Sequence, residues 1–362
     1  MATTTRTTPR TRISPPPPLP VSNDELADAI GRVEETAAQL FEMDSRVHSV
    51  GVGMGDGGRP IYRAVRNKNK IVAQKIPIRR LAAATTTFAF PVKFVDAEGD
   101  AAPLHKRVEF GTKGIVATAG SVLPEQQRQR PLVCGLQIQN FDDDSRQKIF
   151  AQSAIIVGSI GCFVKKGKVT FILSNNHVVA GENRGKSGDR ILQDGALKFK
   201  NTLQIANLGS FVPIQFSPLG ATVIKGNVVF NDVDAGIARL VTGTKAKNQY
   251  LTGRTEKPPA SIGTAQRDAL VSKVGRTTGP THGRVTSIAT IVGPVEYDGK
   301  PAWFRNSIEI EGVGMQFSDH GDSGSAIVND NGELVGLLYA GNGTQTYACP
   351  IAAVLAELGV TL

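Results

Sequence analysis

Residues 319–341, DHGDSGSAIVNDNGELVGLLYAG, decide how the chain is to be read. Gly, Ser and Asp are ordinary turn formers, so one reading of Ser323 is a polar residue in a Gly-rich bend and nothing more. The other reading is a nucleophile. Gly321 and Gly324 would let the backbone turn tightly enough to present the hydroxyl and to aim the Gly321 and Ser323 N–H groups inward as an oxyanion hole. The apolar runs SAIV and ELVGLLYAG follow as strands that would hold such a loop. The choice depends on finding a histidine and a carboxylate elsewhere, each in the setting that acyl transfer requires.

Both are found upstream. In residues 169–185, VTFILSNNHVVAGENRG, an apolar strand runs straight into His177 and then into a polar, Gly-containing loop, which suits a histidine facing a cleft. In residues 228–240, VVFNDVDAGIARL, Asp234 abuts the short apolar run Ala235 to Leu240, so its carboxylate is expected at the mouth of a buried strand. A carboxylate buried there is costly unless paired. An imidazole can be that partner, donating one ring N–H to the acid while its other nitrogen accepts the nucleophile's proton. Asp232 is the rival carboxylate, but its polar neighbours set it in the loop.

From about residue 151 onward the chain is a succession of short Val, Ile and Phe runs separated by Gly, Asn and Asp, which reads as mainly β, sandwich or barrel. The stretch 242–263, TGTKAKNQYLTGRTEKPPASIG, divides this region into two similar halves. Only PIAAVLAELG at the end looks helical, with Pro350 at its start and Gly359 at its stop. His, Asp and Ser thus appear in that order on a two-part β background.

LSNNHVV, DAGIARL and GDSGSAIV with GELVGLLYAG resemble the three signatures of trypsin and chymotrypsin-fold (clan PA) serine peptidases over about residues 151–362. The resemblance implies a two-barrel chymotrypsin-like fold, barrels at about 151–243 and 264–349, a C-terminal helix at about 350–358, and an active cleft between the barrels. It implies a serine endopeptidase acting through a catalytic triad of His177, Asp234 and Ser323, with polypeptide as substrate and no cofactor or metal. KVGRTTGPTHGRV at 273–285, VGVGMG at 50–55 and the ending LGVTL are similar to the bacterial and plant Narrow-leaf-type group of trypsin-like peptidases.

Secreted members of the fold mature by cleavage, and the new N-terminus then pairs with the aspartate before the nucleophile, here Asp322. IIVG at Ile155–Gly158 imitates such a start but lies too close to His177, so it is expected as a strand of the first barrel and the enzyme is expected to need no zymogen cleavage. By position relative to Ser323, Phe317 and Ser318 should form the base of the specificity pocket and Tyr339, Ala340 and Gly341 one wall, with His320 near the substrate. No acid sits at that base, so small or medium apolar residues are expected on the acyl side. His282, in GPTHGRV, is expected in an exposed turn.

The rest of the chain is less informative. Residues 1–21 form a Thr-, Arg- and Pro-rich tail without apolar periodicity, expected to be disordered. Ser22 and Glu25 have capping-box spacing and open an amphipathic helix reaching about Met43; strand-like segments VHSVGVGM, RPIYRAV, KIVAQKIPI and FAFPVKFVD then suggest a small α+β domain over 22–112, followed by a linker at 113–150. GMGDGG, Gly53–Gly58, satisfies the dinucleotide-binding spacing, but Pro60 and a strand follow where a helix should start, so a hairpin turn is expected.

The net charge is +9, and Arg6, Arg10 and Arg12 of the tail account for three of those charges. The basic stretch 63–80 has only Tyr62 nearby for stacking, so nucleic acid is not an expected partner. No apolar run is long enough to span a membrane and no apolar block of secretory type is seen, so a cytoplasmic location is expected. Cys134, Cys162 and Cys349 lack disulfide or zinc spacing and are expected as small buried hydrophobes. A homo-oligomer is left open, and the competing function is a catalytically latent adaptor that keeps the peptidase fold for protein binding.

Overall fold

The structure, a computed structural model, describes residues 23–71, 88–111, 114–115, 123–146, 154–193 and 203–362. The expected tail, Ser22 and most of KIVAQKIPI lie outside the described residues. The chain opens with helices α1 (Asn23–Gly31) and α2 (Val33–Met43). A single helix was expected here; the two pieces meet at Arg32 (φ −103°, ψ −1°), at the edge of the right-handed helical range beside Gly31, the weakest helix former of the segment, while Arg32 N–H to Asp28 O (3.1 Å) and Thr36 N–H to Arg32 O (3.0 Å) continue the helical bonding across the junction.

Strands β1 (Val47–Met54) and β2 (Pro60–Asn67) form the hairpin expected from GMGDGG, with Met54 opposite Pro60 and Gly57 at φ 70° in the turn. Strand β3 (Val92–Ala97) lies parallel to β2, and β4 (Ala102–Pro103) and β5 (Lys106–Gly111) follow. Two sheets organise the rest. The first joins β5, β6 (Gly114–Ile115), β7 (Gln137–Asn140), β8 (Ala154–Ser159), β9 (Cys162–Lys166), β10 (Val169–Ser174), β11 (Arg190–Gln193), β12 (Gln204–Phe211) and, beyond the short β13 (Phe230–Asn231), β14 (Gly236–Leu240). The second joins β13, β15 (Ser261–Ile262), β16 (Leu270–Gly275), β17 (Gly279–Tyr297), β18 (Lys300–Gly312), β19 (Ala326–Asn329), β20 (Glu333–Gly341) and β21 (Gln345–Pro350). The chain is therefore mainly β, and the strand-poor stretch 241–260 separates the two sheets as the sequence suggests. Helix α3 (Phe141–Arg146) follows β7, α4 (Asn176–Val179) follows β10, and α5 (Ile351–Leu358) ends at Gly359 in the left-handed conformation, φ 62°.

The N-terminal α+β region is not set apart from the second sheet. Strand β1 pairs antiparallel with β17, Ser49 opposite Val292 and Val52 opposite Ile288, so β1, β2 and β3 extend that sheet. The cause is local: β1 is buried along almost its whole length, and a side chain at Gly51 would overlap Thr290 Oγ1 and Ser287 Oγ of β17. Within 113–150, β7 is an inner strand of the first sheet, between β8 and β11. IIVG lies in β8, with Ile155 and Val157 fully buried.

The largest apolar cluster spans both sheets, joining Cys162, Leu173 and Ile237 of the first to Phe304, Leu337 and Cys349 of the second and to Ile351, Val354 and Leu358 of α5. Burial of that shared surface, at about 25 cal/mol per Å² of apolar area, is what holds the two sheets in register with each other and so positions any site built between them. Described members of the basic stretch are paired rather than free. Arg63 is buried against Glu309 (2.5 Å) and Glu311, Arg66 meets Asp96 at 2.5 Å, Lys68 meets Glu98 at 2.5 Å and Lys70 meets Asp100 at 3.5 Å.

Candidate active site

His177 stands on the one-turn helix α4 at the end of β10, where Asn175 is extended (φ −78°, ψ 155°). The two asparagines before it build the bend. Asn176 Nδ2 donates to Asn183 Oδ1 and to Val212 O, both at 2.7 Å, while Asn175 Nδ2 donates to Asp234 O at 2.7 Å. Asp234, fully buried at the mouth of β14, lies 2.5 Å from His177 Nδ1 through Oδ2 and accepts the His177 N–H on Oδ1 at 3.3 Å. Tyr297 Oη donates to Asp234 Oδ2 at 2.9 Å, and the Asp234 N–H donates to Cys349 Sγ at 3.3 Å. These partners offset the cost of burying the carboxylate. Burial, reinforced by the neighbouring Asp234, pushes the Tyr297 phenol well above its ordinary pKa and keeps it a donor. With Nδ1 directed at the acid, His177 Nε2 is the accepting nitrogen; it is buried and has no hydrogen-bond partner. Asp232 sits on the surface with Arg305, 2.9 Å away.

Ser323 lies in the loop before β19. Gly321 (φ 107°) and Gly324 (φ 87°) both have backbones that L side chains avoid, and an added Cβ would overlap Thr277 Oγ1 at the first and Ser174 Oγ at the second. The loop is tied down by Asp322. Its carboxylate accepts N–H bonds from Thr277 (2.9 Å), Thr278 (3.2 Å) and Asp319 (3.0 Å) and a hydroxyl bond from Thr278 (2.7 Å). It also faces Lys273 Nζ at 3.3 Å, with both side chains fully buried. Burial alone would raise the Asp322 pKa, but the Lys273 charge and these hydrogen bonds outweigh it and hold the acid below its ordinary range.

Burial lowers Lys273, opposed by Asp322. Ser323 Oγ, fully buried, donates to Tyr339 O at 3.3 Å.

The Gly321 and Ser323 N–H groups converge on one acceptor, the carbonyl oxygen of Leu104, the second at 3.3 Å. The Leu104 N–H donates to Tyr339 O at 3.2 Å, and Pro103 and Ala102 pair antiparallel with Ala340 and Gly341. The Leu104 side chain is 3% exposed in a cluster with Phe317, and a Cβ on Gly341 would come within 2.9 Å of Leu104 Cδ1. His105 follows, its ring 5.4 Å from that of His177, and its carbonyl lies 3.2 Å from Nδ1 of the exposed His320.

Of the expected pocket residues, Phe317, His320, Ala340 and Gly341 surround residues 102–105. Tyr339 contributes its carbonyl, while its side chain is fully buried with Oη 3.0 Å from Ser307 Oγ; Ser318 is buried against Thr346, 2.6 Å away.

Sequence reasoning missed Lys273, Tyr297 and Leu104. Lys273 stood in a quoted motif, but nothing in the motif marked it as buried; Leu104 lies in an unremarkable stretch, APLHK. His282 is exposed as expected, although it lies in β17 opposite Ser272 rather than in a turn, because the turn is made by residues 276–278.

Comparison with known proteins gives one family. The trypsin family model matches residues 152–356. No curated protein matches the chain. Among solved structures, Thermobifida fusca protease A is similar at 18% identity, covering 57% of this chain and 91% of that one with a TM-score of 0.40. Cellulomonas bogoriensis chymotrypsin is similar at 18% identity over 56% and 89% with a TM-score of 0.38, and a Nocardiopsis protease at 15% over 64% and 98% with a TM-score of 0.42. With more than half of its length matched by the family model and a mainly β, chymotrypsin-like fold closed by a C-terminal helix, this chain belongs to the trypsin family.

Proposed function

We propose that the protein is a serine endopeptidase that hydrolyses peptide bonds through Ser323, His177 and Asp234. The observation that carries this reading is the convergence of three features: a buried His177–Asp234 pair at 2.5 Å, a partnerless His177 Nε2, and two loop N–H groups meeting at a single carbonyl oxygen. In the mechanism, Ser323 Oγ turns from Tyr339 O toward Nε2 and attacks the substrate carbonyl. His177 takes the hydroxyl proton and passes it to the leaving amine, Asp234 holds the ring and balances its charge, and the Gly321 and Ser323 N–H groups stabilise the oxyanion. Water then hydrolyses the acyl-enzyme with His177 as base.

The apolar surroundings formed by Phe317 and Gly341 support an acyl-side residue that is small or medium and apolar. The Asp322–Lys273 pair supports a loop ordered without zymogen cleavage, since the lysine supplies the cation that a new N-terminus would otherwise bring. Free, buried Cys134, Cys162 and Cys349 agree with a reducing, cytoplasmic setting. Within the family, KVGRTTGPTHGRV supports a place near the Narrow-leaf-type group.

The test is labelling with a fluorophosphonate, which needs both an activated serine and a formed oxyanion site. Wild-type protein is expected to label and Ser323→Ala is not; a variant that labels as well as wild type removes Ser323 from the mechanism.

A further inference from the structure

We propose that the protein's own Leu104–His105 bond is a substrate of Ser323, cut within the same molecule. This rests on the peptidase reading and adds to it the first polypeptide that the cleft takes.

Residues 102–104 are held as an extended substrate is on the acyl side. Ala102 and Pro103 add a short antiparallel strand to the edge of β20, opposite Gly341 and Ala340. The Leu104 N–H is held by Tyr339 O at 3.2 Å. The Leu104 side chain is buried in the apolar cluster that contains Phe317 and lies close to Gly341, two of the residues expected around the acyl-side residue. Its carbonyl oxygen accepts from the N–H of Gly321 and, at 3.3 Å, from that of Ser323, the two donors that polarise a carbonyl for attack.

The leaving side is also held. His105 places its ring 5.4 Å from His177 and its carbonyl 3.2 Å from His320 Nδ1, and Lys106 begins β5 opposite Val157 of β8. The Leu104 carbonyl thus meets the oxyanion donors, and the residue on the other side of the same bond carries its ring to within 5.4 Å of the imidazole that must protonate the leaving nitrogen. An external polypeptide would need the same donors and the same strand edge, so this segment is the first that Ser323 meets.

In the reaction Ser323 Oγ forms a bond to the Leu104 carbonyl carbon, and its proton passes through His177 to the His105 nitrogen. The C–N bond breaks, leaving Leu104 esterified to Ser323 and a free amine at His105. Water hydrolyses the ester to the Leu104 carboxylate and restores the serine. Both new ends remain attached, one through the β1–β17 pairing and the other through β5–β8, so the pieces separate only on denaturation. Asp322 has no need of the new amine, because Lys273 already faces it.

The experiment is mass spectrometry under denaturing conditions on the full chain, with fluorophosphonate labelling of the same samples. Wild type is expected as two pieces, 1–104 and 105–362, and Ser323→Ala as one. Wild type mixed with the Ser323→Ala chain is expected to leave it whole, because the bond is shielded in its own cleft. Leu104→Asp, which puts a charge into the apolar pocket, is expected to slow the cut at least tenfold while the variant still labels.

Self-cleavage is overturned if wild type stays whole yet labels, if the cut falls at another bond, or if wild type trims the Ser323→Ala chain. It is equally overturned if wild type is whole and unlabelled while Leu104→Asp labels, which would make the segment an uncut plug. If wild type stays whole and neither it nor Leu104→Asp labels, the peptidase reading is removed instead, and self-cleavage with it.

Discussion

Lys273 Nζ lies 3.3 Å from Asp322 Oδ2, and neither side chain is reached by solvent. The lysine comes from the inner strand β16 and the aspartate from the residue before Ser323, so the pair fastens the Ser323 loop to the second sheet. Replacing Lys273 by Met leaves the carboxylate buried without its cation, a change that typically costs about 3–5 kcal/mol. The expected outcome is a lower urea midpoint together with reduced fluorophosphonate labelling. A variant with unaltered midpoint and labelling would show that the loop is ordered by its N–H bonds alone.

Ser323→Ala is expected to lower turnover by roughly 10⁴- to 10⁶-fold without altering the melting temperature, since a hydroxyl is removed and no packing is lost. The assay is hydrolysis of a fluorogenic peptide. Equal rates in the two proteins would exclude the serine as nucleophile, and an inactive wild type would favour the adaptor function.

Tyr297→Phe removes the hydroxyl that donates to Asp234 Oδ2 at 2.9 Å and keeps the ring in the core. A hydrogen bond to a charged group contributes about 1.5–3 kcal/mol, so kcat/KM is expected to fall about tenfold or more. The loss should appear mainly in kcat, because Tyr297 reaches the reacting atoms only through the orientation of Asp234 and His177. A change confined to KM would argue against this positioning role.

A peptide-library profile is expected to centre on medium aliphatic residues at the acyl side, since Leu104 is accommodated in the apolar cluster that contains Phe317 and lies close to Gly341. Preference for Arg or Lys would require an acid that this part of the site lacks and would overturn the pocket assignment.

Stability is expected to fall as the pH drops below about 6.5. Burial, and then the neighbouring His177 and His320, push His105 down to about 3 from an ordinary 6.5, and burial pushes His48 down to about 4. Both are neutral in the folded protein at pH 7, whereas in the unfolded chain they take up protons near 6.5. Between those values the unfolded state binds more protons, so each histidine lowers stability by up to about 1.4 kcal/mol per pH unit, and the effect levels off below the folded values. Urea titrations at pH 7.5 and 5, with His48→Asn as control, measure this; an unchanged pH difference in the control would remove His48 from the account.

Much of the architecture was legible because its causes are local. Alternating and apolar runs bounded by Gly and Asn marked β1, β2, β10, β19 and β20, and Pro350 with Gly359 marked α5. His177, Asp234 and Ser323 could be singled out because each stands where an apolar strand and a polar turn meet, His177 after its strand and the other two before theirs. The glycines at 321 and 324 carry positive φ values that other residues resist. The basic stretch was harder to read. Among its described residues, Arg63, Arg66 and Lys68 are matched by Glu309, Asp96 and Glu98, acids that stand at least 30 positions further along the chain.

The linear order of residues was enough to determine a mainly β chain of two halves and to nominate three side chains for acyl transfer, since strand periodicity and turn chemistry act over a few neighbouring positions. Only the folded arrangement decided that Lys273 completes the loop, that Tyr297 steadies Asp234, and that Leu104 offers its carbonyl to the donors beside Ser323. Those contacts join residues 49, 63 and more than 200 positions apart. They depend on strand register and on burial between two sheets, which no local pattern encodes.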